Sequence, residues 1–555
     1  MKTKQWLGIV SLILYGFIGM AQQSDVHSLV NIRIIDANTT RITPAMICLM
    51  NLKDSSIHTA QLKTVVGSTS KILDFYAGIE FNKDRNWTGP IRKMNGSGTN
   101  SDRSTVYGTL ASLPYWSDPV MYQVSGDFDI DLVPGNYHIS IEHGNEYIPI
   151  SEDFVVTGKD SKVVKSYTLK RWINLPQLGW YSGDVHVHHP TTKPEFKDFL
   201  LEYATAEDVH MANVLEMGHH SDANNDFKQE GFDEKFRICR GNICLASGQE
   251  GPRSEFGHII GLNINQFVRE PDPGYNYYDL VFKKLHQEAG ALVGFAHFSW
   301  NGCSLPRGFP WYVTTGEIDF VELLQFAKIN TLDYYDYLDL GFRLTAAAGS
   351  DIPWGSTMGE VRTFVYTGNE FSANRWFEGL KAGHSFVSNG PALLLDADGQ
   401  LPGSEVLKLN GSTTAITVKA VSNPSIGVIS KVAVYNSDGL VLEQANTEKK
   451  DSIVLNINHV VSHSQWLTAA VFCENNAVAH TTPIYFIVDN QPTWNYKRAP
   501  SIILKQEAAI NKTEQEEKVK PMPDKGILTR LANAREFYKN LLEHIQHPII
   551  TGNFQ

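Results

Sequence analysis

The segment Tyr181–Pro190 places an aspartate and two histidines at alternate positions, Asp184, His186 and His188. Valines occupy the positions between them, a pattern that predicts a short β-strand. Because side chains two residues apart on a strand point to the same side, the carboxylate and both imidazoles would share one face. Two imidazoles on one strand face are a common way to bind a divalent metal ion, although such pairs also occur by chance on protein surfaces.

More residues of the metal-binding type lie where other predicted strands begin or end: His219, His220, Glu250, His258, His297 and Asp351. In α/β barrels the functional site is built from the carboxyl ends of strands and from the loops after them. A single histidine in such a place is more often a packed core residue than a ligand. A series of strand ends that each carry a histidine or a carboxylate therefore predicts a metal site.

The elements that position these residues follow from the hydrophobic pattern. Between residues 173 and 392, apolar strands alternate with helical segments, which predicts a parallel sheet or a barrel. Residues 22–172 and 393–500 have strand patterns without helices, and each of the two regions predicts a β-sandwich. Residues 501–555 predict a linker over Lys505–Lys525, followed by an amphipathic helix over Ile527–Ile545 that packs on its own chain.

Length and charge restrict the class of protein. The chain has 555 residues, which is too long for one core, and its net charge of -12 without a basic cluster argues against a nucleic-acid partner. Residues 1–21 contain two lysines and an apolar run that ends in small residues, which predicts a secretory signal cleaved after Ala21. A membrane anchor is the alternative, but the run is short for a span. We therefore expect a periplasmic or secreted protein that is not inserted in a membrane after signal cleavage.

The chain has five cysteines, an odd number that leaves at least one thiol unpaired. Cys239 and Cys244 flank a turn signal at 240–242, so a disulfide across a hairpin is one interpretation. Buried free thiols throughout are the other, and the sequence does not decide between them.

The motifs taken together resemble a known family. They are Gly183-Asp-Val-His-Val-His188, Gly248-Gln-Glu250, Gly257-His-Ile-Ile-Gly-Leu262, Ala296-His297, Gly349-Ser-Asp351 and Gly383-His-Ser-Phe-Val-Ser-Asn-Gly-Pro391. This set resembles the PHP (polymerase and histidinol phosphatase) domain, and more closely its carbaryl-hydrolase-like CehA/McbA branch of metallohydrolases. The resemblance covers about residues 176–395. It implies a distorted (β/α)7 barrel with a metal cluster at one end, flanked here by the two β-sandwich domains.

The resemblance also implies a division of ligands between two metal ions. His186, His188 and Asp351 would bind one ion, and Glu250 would bridge to a second ion held by His258 and His297. Four imidazoles and two carboxylates suit Zn²⁺, Mn²⁺ or Fe. A hydroxide formed from water between the two ions would then be the nucleophile.

The chain departs from the family pattern after Asp351. Many PHP domains continue as Asp-x-His, and that histidine serves a third metal, but here Ile352 and Pro353 follow. We therefore expect two metal ions, which makes phosphomonoesters less suitable substrates. A proton donor for the leaving group would then come from His219, His220 or His384, each of which has a supporting or surface role as its alternative.

Several polar and aromatic residues near the motifs stay undecided. Asp184 could orient a ligand or only begin its strand. Glu322 could support a ligand or form a structural pair with an arginine, and Glu216 is equally open. An aromatic substrate pocket or ordinary packing would both account for Tyr275, Tyr277, Tyr278, Trp300, Trp311, Tyr312 and Trp354.

These expectations combine into a predicted function. The chain is expected to be an exported metal-dependent hydrolase that cleaves an ester-type bond, a carboxyl ester or a carbamate, in a small-molecule or glycan-linked substrate. A metal-dependent phosphodiesterase is one alternative. A non-catalytic protein that binds glycans or a partner through a degenerate barrel is another. The oligomeric state stays open.

Overall fold

The computed structural model describes residues 27–56, 58, 104–106, 109–111, 122–158, 162–218, 227–298, 305–325, 328–352 and 357–546. The predicted signal segment, residues 1–21, lies outside this part of the chain. In the described residues, no helix combines the length and the apolar character that crossing a membrane requires.

The N-terminal region consists of short strands. They are β1 Ser28–Asp36, β2 Ala45–Asn51, β3 Ser104–Val106, β4 Thr109–Ala111, β5 Tyr122–Val124, β6 Asp127–Leu132, β7 Gly135–Glu142, β8 Tyr147–Ile148, β9 Ile150–Val156 and β10 Lys162–Arg171. One four-stranded sheet has the order β6-β1-β10-β8 and another has the order β5-β2-β7-β9. Alternate apolar residues of both sheets, such as Val30, Ile47 and Ile139, share one buried core.

The central region mixes strands and helices. They are β11 Trp180–Val187, α1 Pro194–Ala206, β12 Met211–Met217, β13 Ile238–Arg240, β14 Ile243–Ser254, β15 Gly257–Leu262, α2 Tyr278–Leu285, β16 Leu292–Phe295, α3 Phe309–Tyr312, β17 Phe320–Gln325, β18 Lys328–Ile329, α4 Thr331–Asp339, β19 Thr345–Ala348, β20 Arg362–Tyr366, α5 Ala373–Lys381 and β21 Ser385–Ser388. Strands β11, β12 and β14 are parallel neighbours, as are β16, β17 and β19. The antiparallel strand β15 joins the two groups.

The C-terminal region adds more strands and two long helices. They are β22 Ala392–Ala397, β23 Glu405–Lys408, β24 Ser412–Val421, β25 Ile429–Asn436, β26 Gly439–Ala445, β27 Ser452–Val461, β28 Gln465–Cys473, β29 Val478–Thr481, β30 Ile484–Val488, α6 Ala499–Lys518 and α7 Lys525–Gln546. A small sheet has the order β22-β24-β27. Most of the other strands extend the central sheet, because β29 pairs with β21 of the central region.

The predicted architecture, a (β/α)7 barrel between two separate β-sandwich domains, is wrong, although the two four-stranded N-terminal sheets do pack around one core. Such a barrel needs parallel strands that are each followed by a helix, but β14–β15, β15–β16, β11–β20 and β20–β21 are antiparallel pairs. The central strands also continue through β21 and β29 into a single sheet with C-terminal strands. Local hydrophobic patterns predicted the strands themselves but carry no information about pairing direction, which is why the prediction failed.

The predicted linker at Lys505–Lys525 is also wrong over most of its length. Residues 499–518 form helix α6, which buries Ile502, Ile503 and Ile510. The prediction that the last amphipathic helix packs on its own chain is confirmed. Its apolar stripe is buried throughout α7: Ile527, Leu531, Ala534, Tyr538, Leu541 and Ile545.

The cysteine alternatives are resolved for the described residues. Cys239 and Cys244 form a disulfide across the β13–β14 hairpin, as one interpretation predicted. Cys48 and Cys473 are buried thiols, and Cys303 lies outside the described residues.

Candidate metal centre

The structure brings all six predicted metal ligands together. His186 lies on β11 and His188 directly after it, and Glu250 lies on the second parallel neighbour, β14. His297 and Asp351 follow the carboxyl ends of β16 and β19. His258 begins the antiparallel strand β15, whose start lies beside the end of β14. Although the complete fold is not a (β/α)7 barrel, these strand ends therefore bring the six side chains to one place.

The first group consists of His186, His188 and Asp351, all of them buried. The Nε2 atoms of the two imidazoles are 2.9 Å apart. Oδ1 of Asp351 is 3.3 Å from each of these nitrogen atoms. Three potential ligand atoms thus point at one small volume.

The second group consists of Glu250, His258 and His297. Oε1 of Glu250 is 2.7 Å from Nδ1 of His258 and 3.2 Å from Nε2 of His297. The same carboxylate reaches the first group, because Oε1 is 3.6 Å from Nε2 of His186 and Oε2 is 3.5 Å from Nε2 of His188. Glu250 therefore lies between the two groups, where a bridging carboxylate is expected.

Hydrogen bonds on the outer side of the imidazoles fix which nitrogen faces inward. Nδ1 of His188 donates to the carbonyl oxygen of Leu215 at 3.0 Å. Nδ1 of His186 lies 2.8 Å from Oε1 of Glu322, and Nδ1 of His297 lies 2.8 Å from the amide oxygen of Gln325. Since each Nδ1 faces an acceptor, the neutral form of each ring directs an Nε2 lone pair into the cluster.

The donor set fits divalent cations. The inward-facing atoms are imidazole nitrogens and carboxylate oxygens, and in the forms that bind metal, neutral imidazole and ionised carboxylate, all of them are acceptors. Acceptors held within 3.6 Å of one another repel unless positive charge lies among them. Nitrogen and carboxylate ligands in this number suit two ions such as Zn²⁺, Mn²⁺ or Fe²⁺.

Glu322 supports both groups, so its predicted alternative, a structural pair with an arginine, does not describe the contacts seen. Its Oε1 contacts His186, as described above, and its Oε2 accepts the backbone N–H of His297 at 2.9 Å. Glu322 is completely buried on β17. A single carboxylate thus orients one ligand from each group.

Asp184 holds the backbone around the first group. Its carboxylate accepts the N–H of His186 at 3.0 Å, the N–H of Ser350 at 2.9 Å and the N–H of Gly359 at 2.8 Å. It also accepts the hydroxyl of Ser350 at 2.5 Å. Asp184 therefore positions the chain on both sides of the cluster and is not itself one of the converging ligands.

Two of the ligands have an unusual backbone conformation. His297 has φ 59° and Asp351 has φ 54°, both in the left-handed region that residues with a Cβ seldom adopt. His297 lies two residues after the end of β16 and Asp351 lies three residues after the end of β19, so the left-handed backbone falls in the turn that leaves each strand. Backbone strain of this kind concentrates at functional sites.

Electrostatics keep the two carboxylates ionised. Burial opposes ionisation of Glu250, but Arg253, His258 and His186 outweigh it and hold its pKa well below the usual value. Burial likewise opposes ionisation of Asp351, and His186 is the main cause of its lowered pKa. An ionised carboxylate is the form that binds a metal ion.

Arg253 is a site residue that sequence reasoning missed. Its Nε is 3.0 Å from Oε2 of Glu250, and its side chain is mostly buried. Residues three apart on a regular strand point to opposite sides, but the β14–β15 pairing shifts register between Glu250 and Arg253. This bulge turns both side chains to the same side, and Gly251-Pro252, a pair that marks bulges when it occurs inside a strand, is the sequence signal that could have indicated it.

One of the three predicted proton donors, His384, lies in the described residues, and it is not part of the cluster. His219 and His220 lie outside the described residues. His384 lies far from the cluster. Its backbone oxygen accepts the N–H of Tyr366, and Tyr366 pairs with Trp180. Trp180 begins β11, whereas His186 lies near the other end of that strand. Six residues separate Trp180 from His186, about 20 Å along a strand.

The other undecided residues have structural contacts. Glu216 accepts hydrogen bonds from Lys228 at 2.8 Å and from the N–H of Gln229 at 2.9 Å. Among the aromatic residues, Tyr278 and Tyr312 stack in the core with ring centroids 4.7 Å apart, while Tyr275 donates to backbone oxygens of Gly218 and Arg253. Trp300 and Trp354 lie outside the described residues.

Comparisons with known proteins provide little further information. No family model matches the chain, and no curated protein matches it. Among solved structures, the fibronectin(III)-like modules of Clostridium thermocellum CbhA match at 18% identity over 17% of this chain and 94% of theirs, with a TM-score of 0.13. The sulfur carrier protein SoxY from Chlorobium limicola f thiosulfatophilum matches at 14% identity over 16% of this chain and 87% of its own, with a TM-score of 0.12. Scores this low support no argument about fold or function.

Proposed function

We propose that the chain is an exported, binuclear metal-dependent hydrolase that cleaves a carboxyl ester or a carbamate. One observation carries the proposal: six buried or mostly buried acceptor side chains converge in two groups, and the carboxylate of Glu250 lies between the groups. The resemblance of the ligand motifs to the carbaryl-hydrolase-like branch of PHP metallohydrolases supports the choice of bond. The disulfide Cys239–Cys244 and the signal-like N-terminus support export to the periplasm or beyond.

His186, His188 and Asp351 would hold one ion, and Glu250, His258 and His297 the other. When bound, two divalent cations supply Lewis acidity, which polarises a carbonyl group and makes a water molecule nucleophilic near neutral pH. Hydrolysis breaks the bond between the acyl carbon and the leaving oxygen, adds the hydroxyl of water to the acyl carbon and returns a proton to the leaving group.

The contribution of the chain itself is orientation and charge. Leu215, Glu322 and Gln325 fix the imidazole rings through their outer nitrogens. Arg253 adds a fixed positive charge beside the cluster, where it favours negative charge that develops on the substrate. His219 and His220 remain proposed proton donors, because Gly218, which precedes them, donates its N–H to the backbone oxygen of Glu250 at 2.8 Å.

The test begins with metal content. Protein purified without chelators should contain about two Zn, Mn or Fe ions per chain by mass spectrometry, and a His186→Ala variant, which lacks one ligand of the first group, should lose about one of them. His384→Ala is the matched control, because this histidine lies about 20 Å from His186 along the sheet. The metal-loaded protein is then assayed on aryl esters, aryl carbamates and phosphodiesters. A metal-free native protein, or a metal-loaded protein with no turnover in any class, would refute the proposal and support a binding role.

Phosphodiester hydrolysis is a second candidate, and Arg253 is the observation that favours it. A guanidinium beside a binuclear cluster suits a phosphate oxygen better than a neutral carbonyl. If phosphodiesters are the substrates, Arg253→Gln should lower kcat/KM for bis(4-nitrophenyl) phosphate by at least tenfold more than for 4-nitrophenyl acetate. Equal effects on the two substrates would favour the carboxyl ester.

A further inference from the structure

A wide groove lies beside the metal cluster, between α3 and α4 on one side and α6 on the other. Its volume is about 790 Å³, within the range of sites that enclose small organic ligands. Its walls combine apolar side chains, among them Pro306, Leu332 and Ala509, with amides and charged groups.

The groove adjoins the second group of ligands at two points. Pro306 packs so closely on Gly257, the residue before His258, that a Cβ there would come within 2.9 Å of it. Asn330 donates its amide to the backbone oxygen of Phe298, the residue after His297, at 3.2 Å. Two lining residues of the groove therefore contact the chain one residue away from His258 and from His297, which is the basis for placing an ester group at the cluster and the rest of a substrate in the groove.

Gln506 provides an unused hydrogen-bond donor in the wall of the groove. The side chain is 1% exposed, and its Oε1 accepts the hydroxyl of Tyr337 at 2.8 Å. Among the described residues, its Nε2 has no hydrogen-bond partner. An unpaired buried amide costs free energy, which a ligand oxygen would recover.

The charges in the groove are largely neutralised within the protein. Lys505 pairs with Asp333 at 2.7 Å and with Asp336 at 2.9 Å, and Arg307 pairs with Glu255 and Glu516. A charged ligand would have to compete with these ion pairs. A neutral ligand with many hydroxyl groups can instead donate to the carboxylates and accept from the cations, while its C–H surfaces contact Pro306 and Leu332.

We infer that this groove binds a carbohydrate and that the substrate is a carbohydrate ester, with the ester at the cluster and the sugar residues along the groove. This inference rests on the proposed function, whose substrate class it specifies. The volume of about 790 Å³ is sufficient for a short oligosaccharide.

The test separates the groove from the chemistry. Binding of xylotriose, cellotriose and maltotriose to the full-length protein is measured by saturation-transfer NMR, and kcat/KM is measured for their mono-acetylated forms and for 4-nitrophenyl acetate. We expect at least one trisaccharide to bind and its acetate to be the better substrate. Ala509→Trp should fill the groove. The ratio of kcat/KM for the acetylated trisaccharide to kcat/KM for 4-nitrophenyl acetate should then be at least tenfold lower than in the native protein.

Ala508→Trp is the matched control, because Ala508 is the neighbouring exposed alanine of α6 and does not line the groove. It should leave trisaccharide binding and the ratio as in the native protein. Hydrolysis of 4-nitrophenyl acetate without trisaccharide binding, or an Ala509→Trp variant with an unaltered ratio, would overturn the inference and leave the proposed function in place. Absence of all esterase activity, with trisaccharide binding lost in Ala509→Trp, would overturn the proposed function and keep the groove as a carbohydrate site.

Discussion

Replacing Glu322 by glutamine should weaken binding at both metal positions, although Glu322 is not among the converging ligands. Its two oxygens contact His186 Nδ1 at 2.8 Å and the N–H of His297 at 2.9 Å. A glutamine has one amide oxygen, so at least one of these two donors would lose its acceptor in either orientation of the amide. The negative charge that keeps the His186 ring basic would also be lost.

The expected magnitude follows from these two contacts. Loss of a carboxylate that supports metal-binding histidines typically weakens metal affinity by about 10–100-fold, or roughly 1.4–2.7 kcal/mol. One hydrogen bond to a charged group contributes about 1.5–3 kcal/mol, which agrees with that range. Competition with a fluorescent chelator at fixed pH would measure the dissociation constant of each ion, and the Glu322→Gln protein should show both constants raised.

Glu216→Gln is the matched control for this experiment. Glu216 is also a buried carboxylate, and it accepts hydrogen bonds from Lys228 and from the N–H of Gln229, neither of which is a candidate metal ligand. Its substitution should leave both metal dissociation constants within about twofold of the native values, inside the scatter expected for a site without direct contact. Unaltered metal binding in Glu322→Gln, or equal losses in the two variants, would refute the assignment of Glu322.

Three further outcomes are expected. His258→Ala should remove about half of the bound metal, because His258 belongs to one ligand group alone; complete loss on elemental analysis would contradict the division into two groups. Burial lowers the pKa of His480 to about 3 in the folded protein, whereas the pKa in the unfolded chain is about 6.5. Below pH 6.5 the unfolded chain therefore binds a proton that the folded protein does not, and the free energy of unfolding should be lower by about 2 kcal/mol at pH 5 than above pH 6.5. In a His480→Gln variant the loss of stability between pH 7 and pH 5 should be smaller than in the native protein. If the urea midpoint moved by the same amount between the two pH values in both proteins, this explanation would be wrong. Leu531→Ala, which empties a fully buried site on α7, should cost about 2–5 kcal/mol in urea unfolding, whereas the exposed Asn533→Ala should change little; equal effects would show that α7 does not belong to the core.

That the six candidate ligands lie together could be predicted, because each of them carries a local signal. The alternation of His186 and His188 with valines is typical of a strand, and a strand fixes the side to which both rings point. Glu250, His297 and Asp351 lie at the ends of apolar runs that the structure also forms as strands. What the sequence did not contain is the relation between distant segments.

Glu322 illustrates this limit, because its partner His186 is 136 residues away and no local pattern indicates the contact. Arg253 illustrates another, since a one-residue shift in the β14–β15 pairing changes the side to which it points. Helix α6 was mistaken for a linker because its charged residues outnumber the few isoleucines that it buries. Pairing direction failed for the same reason, and with it the predicted barrel.

Strand β21 is paired on both of its edges, and this pairing restricts which part of the gene could be transferred to another protein. One edge of β21 is hydrogen-bonded to β20, which also pairs with β11, the strand that carries His186, and the other edge is bonded to β29 along Phe386–Ser388. A gene fragment that ended near residue 392 would encode a protein with that second edge unpaired, and open strand edges recruit other chains and aggregate. A fragment that carried the candidate metal ligands to another protein would therefore need the C-terminal strands, or a substitute for them, to keep this edge paired.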